Sequence, residues 1–373
     1  MHFQENAGQR SGIVQTEGRW TMLPFISVIL PVRDERAMLP RLIDELLRQN
    51  YPSDRFEILV VDGDSSDGTA ELVRRRFSNK HVRVKVLHNP GIRSSAGRNI
   101  GIRAAAGDVI LFVDGHCTIP SHNLLEDTAA ILAQSGAGCL CRPQPLLAAS
   151  ETHTGEVIAQ IRSAHAEREM KSCGFVDPVQ GGCAYRREVF SRVGLFDENF
   201  DGCEDVEFNT RVRKAGIRAY ADPRLAVHYQ PRKDVRALFR QMVRSGRGHV
   251  RLLRKHAGSV AKAQFAPLAI LPIILLTVLA WIAFPVRIAE LLSIPLASIV
   301  AAVVVASLRL GIRHGAGSAL RAPWIYSAMY FGVGIGSVME ILKPIRPATV
   351  PTALEVVPPL SQAEQIEEVE RAA

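Results

Sequence analysis

Between Phe25 and Leu125 three short apolar runs each stop at an acidic turn, and that repetition narrows the fold class more than any other feature. Ile26–Leu30 runs into Pro31 and then Arg33-Asp34-Glu35. Phe56–Val61 runs into Asp62-Gly63-Asp64-Ser65-Ser66-Asp67-Gly68-Thr69. Val109–Val113 is apolar throughout, as a strand in the middle of a parallel sheet is, and stops at Asp114-Gly115-His116. Segments of helical periodicity separate the runs. Leu42, Ile43, Leu46 and Leu47 share one face of a helix over Leu39–Gln49, with Pro40 in its first turn. Thr69–Phe77 and Ser94–Ala105 read as further helices, the first with Asp67 as a cap near its start, and Val82–Leu87 as a strand with one exposed face. Alternation of this kind predicts an α/β sheet with right-handed crossovers. Ligands of such sheets bind beyond the carboxyl ends of the strands, so the three acidic turns should converge on one binding edge. Their mutual repulsion requires a cation or a cationic side chain among them.

The last third of the chain is different. Phe265–Phe284 carries no charge over about 20 residues, the length that crosses a hydrocarbon core. Two further apolar runs follow, with Glu340 the lone acid near the end of the third, and the reading is three membrane helices at 265–284, 289–308 and 322–342. A buried helical hairpin would show the same hydropathy, but three such runs in succession favour spans. Seven basic residues from Arg240 to Lys262 precede the first run, which predicts a cytoplasmic catalytic domain on a multi-pass membrane protein. The expected organisation is a polar, disordered tail over 1–22, a catalytic domain over 23–250, a basic juxtamembrane segment over 251–263, a membrane region over 264–345 and a disordered acidic tail over 346–373. The net charge of +8 lies beside the membrane region rather than in an aromatic-interleaved groove, which argues against a nucleic-acid partner and for membrane lipids. The six cysteines form no C-x-x-C pair and read as reduced and mostly buried.

Several constellations carry chemistry. Asp114 and His116 offer a carboxylate and an imidazole on one turn, a donor pair suited to Mn²⁺ or Mg²⁺ against a diphosphate, with His228 a further candidate ligand. Taken alone, the tripeptide reads more readily as a strand-end turn; the other acidic strand ends reverse that preference. Glu204-Asp205 opens a helix and supplies a candidate general base, or equally a pair of N-terminal helix acids. Gly181-Gly182 allows close backbone approach to a ligand. Gln241, Arg244 and Arg247 could bind a diphosphate or an acceptor phosphate, or form the solvated side of a basic amphipathic helix.

In their order these motifs resemble glycosyltransferase family 2. Pro31-Val32-Arg33-Asp34-Glu35 matches its opening turn, Val61–Thr69 its Asp-rich turn, Ala96-Gly97-Arg98-Asn99-Ile100-Gly101 its next helix, and Asp114-Gly115-His116 its Asp-x-Asp position. The resemblance covers about Phe25–His249 and is nearest to succinoglycan-type exopolysaccharide glucosyltransferases. It implies a GT-A fold and transfer from a nucleotide diphosphate sugar, UDP-glucose by resemblance, to a lipid-linked or saccharide acceptor with inversion at the anomeric carbon. It implies donor contacts at Pro31, Val32, Arg33, Asp34, Glu35, Asp62, Asp64, Ser65, Arg98, Asp114 and Gly115, a metal at Asp114 and His116, and Asp205 as base beside Glu204. His116 departs from the second carboxylate of Asp-x-Asp. Ser245 stands where processive synthases carry Trp after Gln-x-x-Arg, which disfavours that alternative. A polyprenyl-phosphate glycosyltransferase and a non-catalytic nucleotide-sugar-binding subunit remain as other readings.

Overall fold

The computed structural model describes residues 13–16, 19–78, 81–146, 152–166, 173–258 and 267–343. Residues expected to belong to the N-terminal tail pair instead as two antiparallel strands, β1 (Ile13–Thr16) and β2 (Arg19–Met22). The tail expected over 346–373 lies outside the described residues.

The alternation read from the sequence is present: β3 (Ile26–Val32), α1 (Leu39–Leu47), β4 (Phe56–Asp62), α2 (Thr69–Phe77), β5 (Arg83–His88), α3 (Ser94–Ala104) and β6 (Val109–Phe112). There follow β7 (Cys117–Thr118), α4 (Leu124–Ser135), β8 (Cys139–Cys141), α5 (His153–Ala166), β9 (Gly174–Val176), β10 (Gly182–Arg186), α6 (Arg187–Val193), α7 (Glu204–Lys214), β11 (Ala219–Ala221) and β12 (His228–Tyr229). The main sheet has eight strands in the order β5-β4-β3-β6-β10-β8-β11-β9. β5, β4, β3 and β6 are mutually parallel, whereas β10 runs antiparallel to both β6 and β8, so the sheet is mixed. β7 and β12 form a small antiparallel pair beside it.

Burial explains the residue types. Every residue of β4 and β6 is buried, because helices cover both faces of the sheet there. Ile26, Val28, Leu30 and Val60 pack with Leu42 and Leu46 of α1 on one face, while Ile29, Leu59 and Ile110 pack with Ile102, Phe190 and Phe208 on the other. Edge strand β5 alternates instead, as its basic residues require. Cys117, Cys139, Cys141 and Cys183 are free and buried.

Among the described residues four helices follow: α8 (Val235–Lys255), α9 (Ile270–Ala283), α10 (Val286–His314) and α11 (Ala316–Ile341). Of the three expected spans the structure supports one. Among the described residues α10 alone is long and apolar enough to cross a membrane, and α9 is too short. The third run forms part of α11, whose Ala322, Ile325 and Ala328 are buried with Val157 of α5 and Leu238 of α8. Glycines make this a packing face: a Cβ on Gly336 would stand 2.1 Å from the Val243 carbonyl oxygen, and one on Gly246 equally close to that of Val333. The basic segment is not a separate linker either. Its first residues, Arg251–Lys255, are the last turns of α8, and residues 259–263 lie outside the described residues.

Candidate active site

Because β3, β4 and β6 are parallel and in register, with Val32 beside Asp62 and Ile29 beside Phe112, their carboxyl ends open on the same edge. A cavity of about 680 Å³ lies there. It gathers Pro31, Val32, Arg33 and Glu35 from behind β3, Arg98 from α3, Asp114 and His116 from behind β6, Glu204 and Asp205 from α7, and Gln241 and Arg244 from α8.

Arg98 is the cationic partner that the converging acids require. It is 9% exposed, donates from Nη1 to Glu204 at 2.6 Å, and lies 3.4 Å from Asp114 through Nη2. Its guanidinium stacks near the rings of Phe112 and Phe196, which hold it in place. Burial alone would weaken its charge, but Glu204, Asp114 and Asp205 raise its pKa above the ordinary range. Asp114 is held below the usual carboxylate range against the effect of burial, by Arg98 first and then by His116. Asp205 goes the other way: partial loss of its water raises its pKa, Glu204 adds to the rise, and Arg98 opposes it. Its one hydrogen bond among the described residues is from the Val206 amide, at 2.9 Å. A carboxylate in this position is poised to take a proton, since it holds charge at a helix N-terminus yet gains from losing it.

The loop bearing these acids is pressed into shape by α8. Cys203 precedes α7 with a left-handed φ of 60°. A Cβ on Gly248 would stand 2.3 Å from the Gly202 carbonyl oxygen, so only a glycine of α8 lets the loop lie this close.

His116 donates from Nδ1 to the Glu35 carboxylate at 2.8 Å, and its ring stands edge-on to Tyr229 with centroids 4.5 Å apart. Burial disfavours its charged form, but Tyr229, Glu35 and Asp114 outweigh that and raise its pKa to about 10. Its Nε2 is buried without a hydrogen-bond partner, the mark of a group that serves an ion or ligand. Among the described residues no three His, Cys, Asp or Glu side chains form a closed metal cage. Asp114 and His116 would fit an open site only with His116 neutral: a bound cation would have to displace the Nε2 proton, leaving one carboxylate and one imidazole nitrogen whose Nδ1–H donates to Glu35.

Several expected site residues lie elsewhere. Asp62 accepts from the Ser65 amide at 3.1 Å and from its hydroxyl at 2.5 Å, and neither residue lines the cavity, although Val61 does. Asp34 caps the amide of Ser66, and Asp67 does the same for Thr69 and Arg36, so this turn spends its acids on its own backbone. Asp64 is exposed, 3.9 Å from His88. Gly115 packs on Val32 and Glu35. Gly182 is tight against Asn209 and the Tyr185 hydroxyl, and neither it nor Gly181 lines the cavity. Arg247 is paired with Asp201 at 3.1 Å and Glu340 at 3.3 Å. His228 does not line the cavity, whereas its neighbour Tyr229 does. Strand alternation makes the two exclusive, so the pattern of β12 could have pointed to Tyr229. Asn89, Arg93, Asp201 and Arg232 also line the cavity and were not singled out by their sequence surroundings.

Residues 27–194 match the family model "Glycosyl transferase family 2". Residues 27–194 thus form a family 2 glycosyltransferase domain. It is 28% identical over 267 residues to the succinoglycan biosynthesis protein ExoA of Rhizobium meliloti, covering 69% of this chain and 79% of the relative. It is 25% identical over 252 residues to a dolichyl N-acetyl-α-D-glucosaminyl phosphate 3-β-D-2,3-diacetamido-2,3-dideoxy-β-D-glucuronosyltransferase of Methanococcus voltae, covering 62% and 74%. The fold is similar to that of a mannosyltransferase of Pyrobaculum calidifontis solved with GDP-Man and Mn²⁺: TM-score 0.57, 19% identity, 86% of this chain and 88% of that one. The glycosyltransferase thus has the GT-A fold expected from its motifs. The family match ends before Glu204, so the acids of α7 and the arginines beyond it lie outside the matched segment.

Proposed function

We propose that this glycosyltransferase transfers a hexose from a UDP-sugar, glucose in the first instance, to a lipid-linked or saccharide acceptor in cell-surface polysaccharide synthesis, with inversion at the anomeric carbon. One observation carries the reading: Asp114 and Asp205 enter the same cavity from opposite elements, β6 and α7, with Arg98 between them. The nucleotide lies along the carboxyl ends of β3 and β4, against Pro31, Arg33, Val61 and Asn89, with Asp34 and Asp62 behind that edge. Asp62 retains spare lone pairs for a nucleobase N–H. The acceptor hydroxyl attacks the anomeric carbon from the side opposite the diphosphate. Its proton passes to Asp205 as the new C–O bond forms, and the bond from the anomeric carbon to the diphosphate oxygen breaks with its electron pair on the leaving group. Arg98 holds Glu204 and Asp114 in place through this step and keeps Asp205 from being neutralised by their repulsion. A divalent ion, where bound, would be held by Asp114 and His116 and would supply charge stabilisation to the departing diphosphate. The role of the Rhizobium meliloti relative in succinoglycan biosynthesis supports the pathway class, and the Mn²⁺ and nucleotide sugar of the Pyrobaculum calidifontis structure suit the same ligand classes.

Anchoring through α10, with the catalytic domain on the cytoplasmic face, belongs to the same reading. α10 is 29 residues long and its side chains are almost all exposed, including Leu291, Val304 and Ile312. An apolar surface of that extent is unstable in water and stable in lipid.

The test is nucleotide release by detergent-purified protein from a panel of UDP- and GDP-sugars, with Mn²⁺, Mg²⁺ or EDTA, comparing wild type with Asp205→Asn and Asp114→Ala. Release from one sugar that both substitutions abolish is the expected result. Turnover unaffected by Asp205→Asn sinks the assignment of the base.

A further inference from the structure

Beside the donor cavity lies a second one of about 480 Å³. The two share a wall of Arg33, Glu35, His116, Arg232 and Arg244. From this wall the second cavity continues to Met38 at the start of α1 and to Arg240 on α8. Asp205 lines only the first.

The charge of the second cavity is unbalanced. Arg232, Arg240 and Arg244 line it, and none of the three has an ion pair among the described residues. The polar contact of Arg232 is a long one, 3.4 Å from Nε to the Gln241 oxygen. The next basic residues along the same helix are treated differently. Arg247 pairs with Asp201 at 3.1 Å, Arg251 with Glu340 at 2.8 Å, and Lys255 with Asp197 at 2.5 Å. The cavity's own acids are engaged elsewhere: Glu35 on His116, Asp34 on the Ser66 amide, and Asp234 on the Ala237 amide as the cap of α8. Three guanidinium groups therefore face one hollow with no acid paired to them among the described residues, although Asp34, Glu35 and Asp234 also line it. Burial lowers the pKa of Arg244, and the nearness of Arg232 lowers it further, which is the cost of that crowding. Such an arrangement relaxes when an anion with several oxygens fills it, and planar guanidinium forks suit a phosphate.

We propose that this second cavity binds a phosphate or diphosphate group carried by the acceptor, held by Arg232, Arg240 and Arg244. The inference rests on the glycosyltransferase reading above and narrows it: the acceptor is a phosphorylated one, anchored on one side of the shared wall while its hydroxyl meets Asp205 on the other. Arg240 tests it, because its side chain is exposed and lines only the second cavity.

Full-length protein in detergent is saturated with UDP to fill the donor cavity and then titrated with inorganic pyrophosphate. Wild type binds the probe, Arg240→Gln weakens binding about tenfold, and Arg240→Lys weakens it less, because the charge remains. The UDP affinity of each variant shows that the protein is folded and the donor cavity intact. No pyrophosphate binding above the UDP site, or equal binding by wild type and Arg240→Gln, overturns the proposal. A membrane headgroup is the other source of a phosphate, so sedimentation with phosphatidylglycerol and phosphatidylcholine vesicles is run alongside. Vesicle binding that is equal in wild type and Arg240→Gln supports an acceptor group. Loss of phosphatidylglycerol binding in Arg240→Gln with pyrophosphate binding unchanged overturns it in favour of lipid contact. If the transferase reading itself is wrong, no nucleotide sugar turns over although pyrophosphate still binds.

Discussion

Asp205 and Arg98 show how opposite demands on single residues are met in one cavity. The Asp205 carboxyl has a pKa above its ordinary value because the protein around it strips part of its water and Glu204 faces it, with Arg98 opposing and Asp114 adding to the rise, although the residue as a whole is exposed. A carboxyl whose pKa rises on folding is ionised at a cost once the pH exceeds its folded value. Replacing it removes that cost. Asp205→Asn should therefore leave the thermal midpoint at pH 7 unchanged or raised, while transfer falls by roughly 10²–10⁴-fold. Calorimetry and nucleotide release on the same preparation check both halves. The base must be ionised to work, so the acid limb of the rate profile should lie above the usual aspartate range and vanish in that variant. Arg98 carries the reverse load. Arg98→Met leaves three acids without their counter-charge and should destabilise the domain by about 3–5 kcal/mol, read from denaturant midpoints. A neutral result would mean that solvent already screens the cluster.

At the scale of elements, α8 enters the site through Gln241 and Arg244, and with α11 it also acts on the site from outside. Arg247 and Arg251 of α8 each bridge Asp201, which lines the donor cavity, to Glu340 of α11. The acid that interrupts the third apolar run is thus part of a clamp on the Asp201–Asp205 loop. Glu340→Gln should loosen that loop, lowering kcat by about ten- to a hundredfold with the donor KM little changed, because misplacement of a base affects the reaction more than the binding of substrate. Equal losses in kcat and in nucleotide affinity would refute the clamp. The glycine contacts between the two helices leave no room for a side chain. Gly336→Val should cost about 1–3 kcal/mol or more by overpacking, visible as a lower unfolding midpoint.

For the molecule as a whole, the α/β sheet places the chemistry at one edge and the C-terminal helices present exposed apolar side chains such as Leu276, Ile282 and Leu308. The protein should sediment with membranes, resist extraction by salt and be released by detergent. Release by salt alone would mean that the basic residues of α8, rather than α10, hold it there.

What the sequence by itself determined is the layout of the sheet and the edge that reacts. Apolar runs of strand length ending in acids can be buried only as parallel strands, and parallel strands in register must open their carboxyl ends together. Pro31, Asp114 and His116 followed from that logic as strand-end residues, whereas Asp205 was read from the start of a helix; the structure brings all four to one cavity. Tertiary structure alone decided which acids line the cavity and which bond the backbone. In the Asp62–Thr69 turn, Asp62 and Asp67 accept from the turn's own amides and hydroxyls, while Asp64 is exposed near His88. It also decided that Arg247 is a structural partner while Arg232 faces the cavity, and that the third apolar run packs on α8. Hydropathy records how strongly a segment avoids water. It does not record what covers the segment, and at glycines such as Gly246 and Gly336 the cover is another helix.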